Sequence, residues 1–106
     1  MKIKSLIFLP LLLMISACTF VNLSPQGEKV RVLSADEVAS CQYLGKTTAT
    51  TRDKVAGVKR HPNAINYELQ SLARNGAVKL GGDTVVADAP EMDGKQIFSV
   101  YRCVPK

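Results

Sequence analysis

An apolar segment at the start of the chain limits how much of it is left to fold. Residues 1–4 read MKIK, residues 6–15 are apolar and interrupted only by Pro10, and small residues follow before Cys18. This order of basic, apolar and small segments is typical of a secretory signal that is removed after export. The apolar stretch is too short to span a membrane, because a spanning helix needs about 20 residues. We therefore predict that residues 1–17 are a signal peptide.

The end of this segment carries a second signal. Ile15-Ser16-Ala17-Cys18 resembles the lipobox of bacterial lipoproteins. The resemblance implies that the Cys18 thiolate accepts diacylglycerol, and that cleavage then frees its amine for a further acyl chain. Several chains anchor a protein durably, because each buried CH₂ contributes ~0.8 kcal/mol. The alternatives are a plain signal peptide with a chance cysteine, or an uncleaved anchor. The following residue is Thr19 rather than Asp, which by the sorting rule of Gram-negative lipoproteins implies the periplasmic leaflet of the outer membrane.

The two remaining cysteines are predicted to form a disulfide. With lipid on Cys18, Cys41 and Cys103 are an even pair in an oxidising compartment. The alternatives are two buried thiols or a metal site. Two thiols and His61 lack the clustered spacing and the fourth ligand of a zinc site. The sequence therefore predicts a Cys41–Cys103 bridge, no metal and no cofactor.

The rest of the chain divides into a tether and one folded domain. Residues 18–29 are predicted as the lipidated cysteine and its tether, and residues 30–106 as the folded periplasmic domain. A short edge strand at 29–33 precedes a capping signal, Ser34 with Glu37 three residues later. The strongest element is a helix that begins at Pro62 or Asn63 and ends at Gly81-Gly82, with apolar residues on one face: Ile65, Leu69, Leu72, Ala73, Gly76 and Leu80. Strands are predicted at 41–51, 83–89 and 96–104, the last two joined by a turn at Asp93-Gly94.

This order of elements predicts an α+β domain. The expected architecture is a small β-α-β-β sandwich, with one main helix on a three- to four-stranded mixed sheet and one disulfide. If the third main strand lies between the first and the second, the start of the Cys41 strand adjoins the end of the Cys103 strand. Topology then supports the disulfide independently of compartment.

Three segments resemble a known family. CQYLG at 41–45, ARNGAVKLGGDTVV at 73–86 and VYRC at 100–103, together with the lipobox, resemble the YjeI-like lipoproteins of Gram-negative bacteria, a family of unknown function. That family is similar to the folded domain of RcsF, the outer-membrane lipoprotein that senses envelope stress. The resemblance implies a compact, disulfide-linked domain. The chain has one possible bridge where RcsF has two, and it lacks a long proline-rich stalk. We therefore carry over the fold and not the signalling.

A basic loop is the first candidate contact surface. Arg52, Lys54, Lys59 and Arg60 lie within residues 52–61, where they are suited to anionic lipid headgroups or peptidoglycan carboxylates. The alternative is a solvated loop. His61 beside it is predicted to be a solvated residue. Asn75 and Gly76 are predicted to ease a close contact between helix and sheet, and the alternative is that Arg74-Asn75 is a contact surface.

The function predicted from these features is non-enzymatic binding. The chain has one histidine and no visible Ser–His–Asp arrangement, which argues against an enzyme and against a small-molecule substrate. Without Lys2 and Lys4 the chain has 12 basic and 9 acidic residues, too mild a balance for a nucleic-acid partner. We predict a membrane-anchored module that binds an envelope protein or senses the envelope. One helix covers one sheet face, so the other face is expected to be open to this partner. The alternative is binding to peptidoglycan or anionic lipid through the basic loop.

Overall fold

One long helix packs on a four-stranded mixed sheet. The computed structural model describes residues 22–104. The elements are β1 Arg31–Val32, β2 Gln42–Thr50, β3 Lys54–Val55, β4 Val58–Lys59, α1 Pro62–Lys79, β5 Thr84–Ala87 and β6 Lys95–Arg102. The sheet order is β1-β5-β6-β2, with β1 parallel to β5 and the other pairs antiparallel. A separate two-stranded hairpin, β3–β4, precedes the helix. The predicted α+β class is confirmed, and β6, the third of the three predicted main strands, lies between β5 and β2.

The core lies between α1 and one face of the sheet. Ile65, Leu69 and Ala73, three residues of the predicted apolar face, are fully buried, and so is Ala77, which the prediction did not include. Leu80, which it did include, is 42% exposed. The four buried residues form one cluster with Val85, Phe98 and Val100 of the sheet. Each large apolar side chain buried in this way contributes about 1.5–3 kcal/mol. The apolar stripe of α1 therefore fixes the helix on the sheet.

The disulfide closes one end of the sheet. Gln42 of β2 pairs with Arg102 of β6, which places the residues just outside these strands side by side. Cys41 and Cys103 are bonded there, with their Cα atoms 4.5 Å apart, so the predicted bridge is confirmed. Asp83 secures the same end, because its carboxylate accepts the N–H groups of Cys103 at 2.8 Å and Val104 at 2.9 Å. Burial opposes ionisation of Asp83, yet these bonds outweigh it and lower its pKa.

The ends of α1 follow local chemistry. The His61 imidazole caps the helix by accepting the N–H of Asn63 through Nδ1 at 3.1 Å, and Pro62 occupies the first helical position. The predicted start at Pro62 is confirmed, and the alternative of Asn63 as cap is wrong. His61 is exposed, as predicted, and in addition caps the helix. At the other end Gly81 has a positive φ of 79°, which allows the N–H of Gly82 to donate to the carbonyl of Ala77 at 2.8 Å.

Close helix–sheet contact is provided by Gly76. A Cβ atom at Gly76 would overlap Oγ1 of Thr47 on β2. The close contact predicted for Gly76 is therefore confirmed. Gly45 lies at a β-bulge, where the pairing of β2 with β6 shifts after Tyr43 and φ is 144°.

The segment before β1 is fixed to α1. The Asn75 side chain accepts the N–H of Ser24 and donates to the carbonyl of Asn22, each at 2.9 Å. Arg74 donates to the carbonyls of three residues, which are Gly27, Glu28 and Val30. Residues 22–29 were predicted as tether, but these bonds place them on the folded domain. The prediction that Asn75 joins Gly76 in easing a helix–sheet contact is wrong for Asn75, because the Asn75 side chain holds the segment before β1. The signal peptide, Cys18 and the start of the tether lie outside the described residues.

Candidate functional site

The basic loop folds into an exposed hairpin. Strands β3 and β4 are joined by a turn at Ala56-Gly57, whose φ angles are 53° and 82°. Lys54 and Lys59 are direct partners in this hairpin, and both are exposed. Beyond them Val55 and Val58 are 52% and 69% exposed. The hairpin therefore presents two lysines and two valines to its surroundings. The two lysines also repel each other, because like charges placed opposite one another destabilise a strand pair.

Arg60 does not belong to this surface. Its guanidinium donates to both carboxylate oxygens of Glu68, at 3.0 Å and 2.6 Å, and to the carbonyl of Arg52 at 2.8 Å. The Arg60 and Glu68 side chains are only 20% and 10% exposed. The hydrogen bonds from Arg60 and from Thr51 lower the pKa of Glu68. They outweigh burial, which acts to raise it. We therefore remove Arg60 from the predicted contact surface, and Arg52, Lys54 and Lys59 remain exposed.

The sheet face away from α1 is only partly open. Because Val85 and Val100 face the helix, the alternation of side chains directs their neighbours Thr84, Val86 and Ser99 to the other side. All three are buried. At the margin of this face Asp88 accepts Lys46 Nζ at 2.5 Å and the Ser99 hydroxyl at 2.7 Å.

These two hydrogen bonds affect the acidity of Asp88. Burial opposes its ionisation, but the bonds from Lys46 and Ser99 outweigh burial and lower the pKa of Asp88. The carboxylate is thus engaged within the domain. The centre of this sheet face is not the open surface expected from the sequence.

A groove runs between the edge strand β2 and α1. Its volume is about 640 Å³. The strand side consists of residues 46–50, and the helix side consists of Leu72, Asn75, Gly76 and Lys79, followed by Leu80. The helix residues are three or four apart, so they form one stripe facing the strand. The groove therefore has a strand edge on one side and a helix on the other.

The groove is lined by neutral and basic groups. Its charged residues are Lys46 and Lys79, and its lining contains no Asp or Glu. Lys46 is engaged by Asp88, whereas Lys79 is exposed and makes no salt bridge to any residue between 22 and 104. Leu80 is 42% exposed at the end of the groove. This arrangement suits an extended polypeptide with an acidic group.

No single motif in the sequence predicts the groove, although one signal for it is present. The predicted strand order places the Cys41 strand at the edge of the sheet, and the predicted helix covers one face of that sheet. Combining strand order with helix position locates the groove.

Residues 22–104 offer neither a metal site nor a membrane-spanning helix. Within this range no three His, Cys, Asp or Glu side chains lie close enough to hold a metal ion. In the same part of the chain, no helix combines the length and apolar character that crossing a bilayer requires. Two cysteines are in the disulfide and His61 caps α1, which accounts for these side chains structurally.

Comparison with known proteins identifies the family. The model of a domain of unknown function, DUF4156, matches residues 21–103, which is most of the chain. No curated protein and no solved structure gives a significant match. The chain belongs to the DUF4156 family.

Proposed function

We propose that this member of the DUF4156 family is a lipid-anchored protein of the bacterial envelope that binds another protein and catalyses no reaction. The observation that carries this proposal is the groove between β2 and α1, in which a strand edge and a helix stripe lie side by side. Grooves of this kind recognise peptides through backbone pairing and adjacent side-chain contacts.

Membrane attachment is the second part of the proposal. Lipid on Cys18, the periplasmic leaflet of the outer membrane, and kinship with the YjeI-like lipoproteins and RcsF all rest on sequence resemblance. The structure adds a consequence. Asn75 holds Asn22, and three residues lie between Asn22 and Cys18, so the four Cα–Cα steps from Asn22 reach roughly 14 Å at most.

Such a short link keeps the domain at its membrane. Asn75 also lines the groove, so the groove opens near the point where the chain approaches the lipid. A partner would then lie in the same membrane or at its surface. This geometry favours a local partner over one reached across the periplasm.

Photocrosslinking in living cells tests the proposal. A photoreactive residue at Thr48 or at Leu80 lies in the groove, whereas one at Tyr67, which is 60% exposed on α1, is a matched control outside its lining. We expect one defined adduct from Thr48 and Leu80 and none from Tyr67. The adduct should be lost when Cys18 is replaced by Ala, because the domain then leaves the membrane. Absence of any adduct from both groove positions would refute protein binding there.

The hairpin β3–β4 supports a second candidate function, binding to an anionic lipid or peptidoglycan surface. Its specific support is the opposed pair Lys54–Lys59 beside the exposed Val55 and Val58. An anionic surface would relieve the repulsion between the lysines, with ~1 kcal/mol from each cation. We expect sedimentation with anionic vesicles or sacculi that weakens with salt. Exchanging both lysines for Gln should abolish it, while Lys29→Gln should not; equal sedimentation of the two variants would exclude this function.

A further inference from the structure

The two edges of the sheet differ in a way that points to a ligand. The β1 edge is two residues long, whereas β2 is a nine-residue edge strand. Long edges are usually shortened, covered or interrupted by proline, because their unpaired backbone groups pair with other strands. Residues 42–50 contain no proline, and the bulge at Gly45 leaves the stretch from Lys46 to Thr50 regular.

The pairing pattern shows which backbone groups of β2 point outward. The N–H of Thr51 donates to the carbonyl of Gly94, the residue before β6. In an antiparallel pair every second residue bonds to the same neighbour, so Ala49 and Thr47 also bond to β6. Lys46, Thr48 and Thr50 therefore direct their N–H and C=O groups away from β6. Among residues 22–104, no hydrogen bond outside the β2–β6 ladder uses the backbone groups of these three.

The groove places these outward groups beside a suitable helix surface. Residues 46–50 form its strand side, and Leu72, Asn75 and Lys79 form the opposite stripe. An added strand would run about 4.8 Å from β2. Its side chains on one face would meet Leu72, and an acidic side chain near the end would meet Lys79.

We infer that β2 is extended by an acidic, extended polypeptide segment of the partner, which binds in the groove as a fifth strand of the sheet. This inference rests on the proposed function, because it names how that protein is recognised. Backbone bonds to Lys46, Thr48 and Thr50 supply the pairing. Lys79, exposed and without a salt-bridge partner in the described range, selects the acidic segment.

A second copy of the chain is a poorer occupant of the same edge. A symmetric β2–β2 pair would bring together two groove linings that are both basic. Neither groove lining offers an Asp or Glu to compensate its lysines. An acidic segment matches the lining, and like charges disfavour a dimer formed through it.

Proline substitution tests strand addition directly. Thr48→Pro and Thr50→Pro each remove an outward N–H and leave the N–H groups that bond to β6, and proline is tolerated at edge positions of this kind. Thr48→Val is the matched control, because it changes the side chain and keeps the N–H. Each change is made in the full, exported chain with a photoreactive residue at Leu80. A urea transition with the disulfide intact checks that each variant is folded.

We expect either proline to lower the yield of the Leu80 adduct about tenfold, and Thr48→Val to leave it unchanged. Lys79→Glu should lower it similarly, and mass spectrometry of the adduct should map to an acidic segment. Unchanged yield in both folded proline variants would overturn strand addition. An adduct with a second copy, or with a basic segment, would overturn the assigned partner. No adduct in the parent chain would instead refute the proposed function, and strand addition with it.

Discussion

Loss of the Cys41–Cys103 disulfide is expected to destabilise the domain strongly. The bond joins residues separated by 62 positions. In the chain-entropy model, closing a loop of this length lowers the unfolded-state entropy enough to contribute about 4 kcal/mol. The total stability of a small domain is about 5–15 kcal/mol, so this single bond supplies a large share of it.

Urea unfolding measures this contribution. The double variant Cys41→Ala with Cys103→Ala removes both thiols of the bridge and should lower the midpoint by about 2–4 M urea, for an m value of about 1–2 kcal/mol per M. The wild-type chain under reductant is the control and should have a midpoint close to that of the double variant, because both lack the bond. A midpoint within about 0.5 M of the oxidised wild type would refute the entropic reasoning.

Three further changes test the packing and electrostatics of the fold. Gly76→Ala should destabilise the fold by about 1 kcal/mol despite the better helix propensity of Ala, because the new methyl overlaps Thr47. Adding Thr47→Ala should restore stability in the double variant. If the losses of unfolding free energy in the two single variants instead add in the double variant, the contact is contradicted. Ser71→Ala should stabilise the fold by about 1 kcal/mol in thermal unfolding, because the buried Ser71 hydroxyl has no hydrogen bond to any residue from 22 to 104. A loss of stability would show that the hydroxyl has a partner. Asp83→Asn should cost about 1–2 kcal/mol at neutral pH. The pKa of Asp83 in the folded state is lowered from 3.8, so the contribution of its carboxylate to the free energy of unfolding is complete above that pH and is lost as the pH falls through the lower folded value. The urea midpoints of variant and wild type should therefore converge in acid. A gap between the midpoints that persists in acid would contradict the role of the charge.

Features with local signals were predictable from the sequence. The apolar spacing from Ile65 to Ala73 located α1, and Asp93-Gly94 marked the turn before β6, where both residues have positive φ, 53° and 78°. The disulfide followed from cysteine count and strand order together. In each case the determining residues are neighbours in sequence, or the constraint is topological.

Features that depend on distant side chains were not predictable in the same way. Arg74 contacts carbonyls 44 to 47 residues away, so nothing in the ARNG stretch revealed that it holds residues 22–30. The Arg60–Glu68 pair spans the start of α1 at a separation of eight, outside the spacing of helical ion pairs. The β3–β4 hairpin turns at Ala56 with φ of 53°, a residue that turn rules do not favour there.

Attachment through Cys18 underlies the proposed binding at the membrane, and intact-mass spectrometry tests it most directly. Protein from the membranes of a Gram-negative host is measured before and after reduction. The predicted mature chain begins at Cys18, carries the added mass of diacylglycerol and an acyl chain, and gains two hydrogens on reduction. A water-soluble form that keeps residues 1–17 and has all three thiols open to alkylation would contradict the anchor and the export on which it depends.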